Sequence, residues 1–173
     1  MQTSKKIFLI GFMGSGKTTI GKKLANKLTI PFFDIDEEVV SDEGKDIPTI
    51  FELDGEDYFR EKEHKKLAQL INENETFVIS TGGGTPCFNN NMDLMNANGT
   101  TFYLKYTPEF LASRLKNALH KRPLLKNVTS SELNSFITSL LAERDFYYNQ
   151  SHFTMEKINL KPDDFLTFFK TDL

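Results

Sequence analysis

Residues Gly11 to Thr18, GFMGSGKT, fit the pattern G-x-x-x-x-G-K-[ST] without a gap. Such a run suits a phosphate cradle. Its glycines let the backbone turn successive N–H groups toward one anion, and a helix starting at its end adds the pull of an N-terminal dipole. Lys17 would then reach the β- and γ-phosphates of a nucleotide and the Thr18 hydroxyl would ligate Mg²⁺, with Gly14, Ser15, Gly16 and Thr19 completing the segment. The motif points to ATP and Mg²⁺. It leaves two classes open: a switch or motor that hydrolyses its nucleotide, and a kinase that hands the phosphoryl group to a small molecule.

Other residues bear on that choice. Asp34 and Asp36 form D-I-D at the expected end of a strand, where residues two apart point the same way. One carboxylate would serve Mg²⁺, with Asp34 the candidate, and the other would take a hydroxyl proton. The pair is equally compatible with the solvated start of an acidic helix. Arg60 and Glu63 share a helical face, so the carboxylate would orient the guanidinium fork for an anionic substrate; an ordinary surface ion pair has the same spacing. Gly82, Gly83 and Gly84 follow Thr81 and would let a ligand approach the backbone, or make a flexible turn. Val78 to Thr81 carries no acidic residue of the kind that holds Mg²⁺ in many proteins with this cradle. Arg122 lies in an irregular stretch, where it would fold over the transferring phosphoryl group, and Arg144 lies in a later helix; each alone also reads as a solvated arginine.

Positioning these groups requires a particular arrangement of elements. Lys6–Ile10, Pro31–Ile35, Phe77–Ile79, Thr101–Leu104 and His152–Ile158 read as strands. Helices are expected over Thr18–Leu28, Glu56–Ile71, Pro108–Ala118, Ser130–Tyr148 and Pro162–Lys170. The alternation predicts an α/β fold with a five-stranded parallel sheet covered by helices on both faces, a three-layer architecture with ligands beyond the carboxyl ends of the strands. Residues 1–173 read as a single domain, with a substrate segment at about 34–63 and an aperiodic, mobile lid at about 117–128.

The 173 residues are 39% hydrophobic and 26% charged, with a formal net charge of −3, which gives no global basic field for nucleic acid or anionic membrane. Cys87 is the sole cysteine, the N-terminal apolar run is too short for a signal peptide, and no stretch approaches a membrane span, so a cytoplasmic protein is expected; a monomer is the expectation for its assembly, though no residue pattern specifies it. His64, His120 and His152 lack ligand spacing and read as surface or packing residues; Cys87 receives no role.

Taken in order, GxxGxGKTTxGKxLA (Gly11 to Ala25), DxD, DGExxFRxxE (Asp54 to Glu63), TGGG (Thr81 to Gly84), RPLL (Arg122 to Leu125) and the helix bearing Arg144 resemble the shikimate kinase family over most of the chain. The resemblance implies ATP-dependent phosphorylation of the shikimate 3-hydroxyl, on the route to chorismate and aromatic amino acids. By position it implies Asp36 as base and hydroxyl ligand, Arg60 and Arg144 on the shikimate carboxylate, Gly82 to Gly84 on the ring hydroxyls, Lys17 and Arg122 on the phosphates, Thr18 and Asp34 at Mg²⁺, and Arg114 and Pro162 about the adenine. Another small-molecule kinase, such as one for gluconate, and a non-catalytic nucleotide-binding regulatory module are the competing readings.

Overall fold

The computed structural model describes residues 5–169, leaving aside the side chain of His120. Five strands, β1 (Lys6–Ile10), β2 (Phe32–Asp34), β3 (Phe77–Ser80), β4 (Thr100–Leu104) and β5 (Phe153–Met155), form one sheet in the order β2-β3-β1-β4-β5, with every pair parallel. β1 is apolar from Ile7 to Ile10 because both of its faces are covered there. Ile7 and Leu9 pack on one face with Ile20, Leu24 and Phe165, while Phe8 and Ile10 pack on the other with Phe59, Leu67, Leu111 and Ile137.

The helices follow from these two cores. α1 (Lys17–Leu28) and α8 (Pro162–Leu166) supply the first. α2 (Ile35–Glu43), α3 (Ile47–Leu53), α4 (Glu56–Glu73), α5 (Asn91–Asn98), α6 (Pro108–Leu115) and α7 (Leu133–Tyr148) supply the second. The three-layer expectation is therefore met.

Several boundaries differ from those read in the sequence. β2 stops at Asp34, whose carboxylate accepts from the Asp36 and Glu37 amides and so caps α2. Asp34 and Asp36 are thus not two residues of one extended strand; the first ends the strand and the second lies in the first helical turn. α7 starts at Leu133 rather than Ser130, because Glu132 accepts from both the amide and hydroxyl of Thr129 and holds that approach as a turn. α8 ends at Leu166 and continues as a 3₁₀ turn to Phe169; the expected helical end at Lys170 lies outside the described residues. The stretch read as an aperiodic lid contains two 3₁₀ turns, Leu119–Lys121 and Pro123–Leu125, with Leu125 fully buried.

Candidate active site

The cradle joins β1 to α1. Gly14 (φ +81°) and Gly16 (φ +87°) take left-handed backbone conformations that a side chain would strain, and Gly16 caps α1. Lys17 is buried and folds back to bridge the loop carbonyls of Gly11 (2.7 Å) and Phe12 (3.0 Å). Burial pulls its pKa down to about 8; Asp36 and Asp34 act upward, while Arg122 and Arg144 act downward.

Next to it, Thr18 Oγ1 donates to Asp34 Oδ2 at 2.6 Å and lies 3.4 Å from Ser80 Oγ. Ser80 ends β3 beside β1, where its register partner is Leu9. These oxygens form a donor set suited to a hard cation. Among the described residues there is no cluster of three or more His, Cys, Asp or Glu that would bind a metal unaided, so a cation here would draw its remaining ligands from phosphate and water.

Asp36 projects from the first turn of α2 into the cleft, and its Oδ1 is buried with no hydrogen-bond partner. Burial, then Glu63 and Asp34, push its carboxyl up to about 7 against the pull of Lys17 and Arg122. A carboxylate with that pKa is matched to accepting a proton near neutrality.

Arg60 is held on several sides. Its Nη1 donates to Glu63 at 2.7 Å, its Nε and Nη2 donate to Glu56, and its guanidinium lies 4.5 Å from the centroid of Phe88. Glu63 is fully buried, so this is no surface ion pair. Arg144 is also buried, 5.4 Å from the centroid of Phe12, and its Nη1 has no partner. The glycine triplet separates these groups. A Cβ on Gly82 would sit 2.7 Å from Glu63 and 2.9 Å from Asp36, one on Gly83 2.9 Å from Arg144 Nη1, and one on Gly84 2.5 Å from Arg60 Nη2. None of the three has a positive φ. Their glycine identity is a matter of space, and the groups filling that space are the protein's own charged side chains.

A cleft of about 590 Å³ is lined by Lys17, Thr18, Thr19, Asp34, Asp36 and Arg114, among others. It adjoins a smaller cavity lined by Arg60, Glu63, Gly84, Phe51 and Arg144. Asp36, Gly82, Gly83 and Arg122 line both, so Arg122 spans the two compartments. A third cavity runs from Ser15 and Thr19 past Arg114 to Asn159, Leu160 and Lys161. Pro162 is not among its lining residues. It sits at the start of α8, and the preceding loop provides the wall instead.

The shikimate kinase family model matches residues 13–171. The chain belongs to the shikimate kinase family. A curated shikimate kinase of Azobacteroides pseudotrichonymphae is 50% identical over 147 residues, covering 85% of this chain and 86% of that one. The crystal structure of the shikimate kinase of Bacteroides thetaiotaomicron superposes with a TM-score of 0.85 at 37% identity, covering 96% of each chain. That of the Acinetobacter baumannii shikimate kinase, solved in complex with shikimate, gives a TM-score of 0.89 at 31% identity over 99% of this chain and 97% of that one.

Every candidate site residue singled out in the sequence, Pro162 excepted, lines one of these three cavities. Ser80, Thr85, Phe88, Asn91 and Tyr148, whose hydroxyl donates to the Gly83 carbonyl, also stand at the site but belong to none of the motifs. Ser80 had a usable signal, since it ends the strand where an acidic metal ligand was sought. The others had none, because the contacts that bring them to the site run to residues 22 or more positions away.

Proposed function

We propose that this chain transfers the γ-phosphoryl group of ATP to the 3-hydroxyl of shikimate, giving 3-phosphoshikimate and ADP on the route to chorismate and aromatic amino acids. The observation that carries the acceptor assignment is the pair of unpartnered buried atoms, Asp36 Oδ1 and Arg144 Nη1, beside Gly82 and Gly83 where the two cavities meet. A buried acceptor and a buried donor without partners are costly unless a ligand completes them. A hydroxylated carboxylate does so at both ends.

In this reading the cradle amides from Gly14 to Thr19, with Lys17 and Arg122, bind the phosphates, and Arg114 borders the nucleotide base. Thr18 and Asp34, joined by Ser80, would hold Mg²⁺, which when bound neutralises charge on the transferring phosphate. Arg60 and Arg144 bind the shikimate carboxylate. The triplet backbone and Asp36 meet its hydroxyls. As the 3-oxygen forms its bond to the γ-phosphorus, the bond to the β,γ-bridging oxygen breaks, ADP leaves, and the hydroxyl proton passes to Asp36. Residues 117–128 act as a lid that seats Arg122 and excludes water. Residues 34–63 carry much of the acceptor site within one catalytic domain. The enzyme works as a cytoplasmic monomer, a compartment in keeping with its lone cysteine.

An ADP-release assay with shikimate against gluconate tests the assignment. Turnover with shikimate alone is expected. Turnover with gluconate alone, or ATP binding with no shikimate-dependent turnover, overturns it.

A further inference from the structure

Immediately after the glycine triplet, the chain makes a chain of buried polar contacts that the phosphoryl-transfer chemistry does not use. Thr85 and Asn91 are fully buried. Thr85 Oγ1 donates to Glu63 Oε1 at 2.6 Å, leaving Glu63 Oε2 for Arg60. Thr85 is held in turn, because its amide donates to the Gly82 carbonyl and its own carbonyl accepts from Asn91 Nδ2 at 2.9 Å. Asn91 Oδ1 then accepts from His64 Nδ1 at 2.7 Å, which closes the chain onto α4 one residue beyond Glu63. The same segment lays Phe88 against the Arg60 guanidinium and sends Asn89 Nδ2 to the Arg60 carbonyl.

Burying two neutral polar side chains costs free energy that an apolar pair of similar shape would not. These two stand where they fix one carboxylate. A Glu side chain has three rotatable bonds, and Arg60, itself held by Glu56 and Phe88, bonds only one oxygen of Glu63, so with that contact alone the Glu63 carboxylate would be free to rotate about it. A short hydroxyl donor on the second oxygen removes that freedom. It sets the plane of the carboxylate and hence the direction in which Arg60 presents its fork.

We infer that Thr85, supported by Asn91, is a positioning residue for the acceptor carboxylate: it locks Glu63, and Glu63 aims Arg60. The inference rests on the shikimate reading above.

The test compares wild type with Thr85→Val, Thr85→Ser and Asn91→Ala, measuring KM for shikimate, KM for ATP, kcat and melting temperature. Loss of a hydrogen bond to a charged group predicts a rise of about 10- to 100-fold in shikimate KM for Thr85→Val, with ATP KM unchanged and kcat within a few-fold. Thr85→Ser, which keeps the hydroxyl, should return KM to within about 3-fold of wild type, and Asn91→Ala should raise it by about 3- to 10-fold. A purely structural Thr85 would lower the melting temperature and leave shikimate KM unmoved, and that result overturns the inference. Should Thr85→Val not fold, an unchanged KM in Asn91→Ala overturns it equally. Wild type that turns over shikimate alongside unaltered variants sinks this inference alone, whereas wild type that does not turn over shikimate removes the functional reading and this inference together.

Discussion

Thr18 Oγ1 donates to Asp34 Oδ2 across 2.6 Å, tying the first turn of α1 to the end of β2. The bond places a hydroxyl and a carboxylate from two elements against one point of the cleft. Asp34→Asn keeps an acceptor for the α2 cap and removes the charge. It should raise the Mg²⁺ concentration for half-maximal rate by roughly 10-fold, the scale of losing one charged interaction. An Mg²⁺ titration of the rate that superposes on wild type would refute the role of Asp34 at the metal.

Asp36 carries two linked expectations. Its carboxyl titrates near 7 in the fold against an ordinary 3.8, so the folded chain holds an extra proton between those values. The contribution of this group to stability therefore falls as pH rises from about 4 to 7. Asp36→Asn removes that cost. Its melting temperature should gain on wild type across that window and stay level above it, while kcat drops by about 10²-fold or more. For wild type, kcat/KM for shikimate should rise with pH to a plateau above about 7, and this limb should vanish in the variant. A kcat within a few-fold of wild type would show that Asp36 is not the base.

Lys17 titrates near 8 because it is buried, so above that pH the free protein largely lacks this positive charge. Bound phosphates restore it. ATP binding should then take up a proton, with affinity falling as pH rises through about 8. Calorimetry at pH 8.5 in two buffers of different ionisation heat reads the uptake directly, and equal heats would contradict it.

Gly83→Ala tests the space argument. The new methyl would lie 2.9 Å from Arg144 Nη1 and 3.3 Å from the Met13 amide nitrogen, so the arginine must move. Shikimate KM should rise by about 10-fold or more, with ATP KM little changed. Equal effects on both substrates would show instead that the cradle itself had shifted.

The strands, the cradle and the long helices were legible because each is written in contiguous residues: an apolar run, a spacing, a glycine pattern. α3 and α5 were not, and α2 was legible only as the alternative of an acidic helix starting at the aspartate pair. α2 buries only Ile35 and Val39 under an acidic exterior, α3 buries only Ile50, and α5 reads NMDLMNAN, with too few apolar positions to establish a period. The site divided in the same way. Asp36, Arg60, Arg122 and Arg144 could be named from motifs. Asp34 and Asp36 do not share one extended strand, since the Asp34 side chain starts a helix at the next residue. The glycine triplet was found, but its reason was not: the occupants of its space come from positions 36, 60, 63 and 144. Thr85 on Glu63 is a contact between residues 22 apart, which no local pattern encodes.

The burial of Leu125 bears on how often the cleft is open. Arg122 and Leu125 belong to the same short stretch, and Leu125 has no exposed surface. Any movement that swings Arg122 away by drawing Leu125 into water exposes a leucine side chain at about 1.5–3 kcal/mol. Were that exposure the whole cost, the open population in the absence of ligand would lie between roughly one molecule in fourteen and one in 160. One aliphatic side chain, outside the linings of both cleft cavities, would thus weight the open population through which nucleotide enters and product escapes.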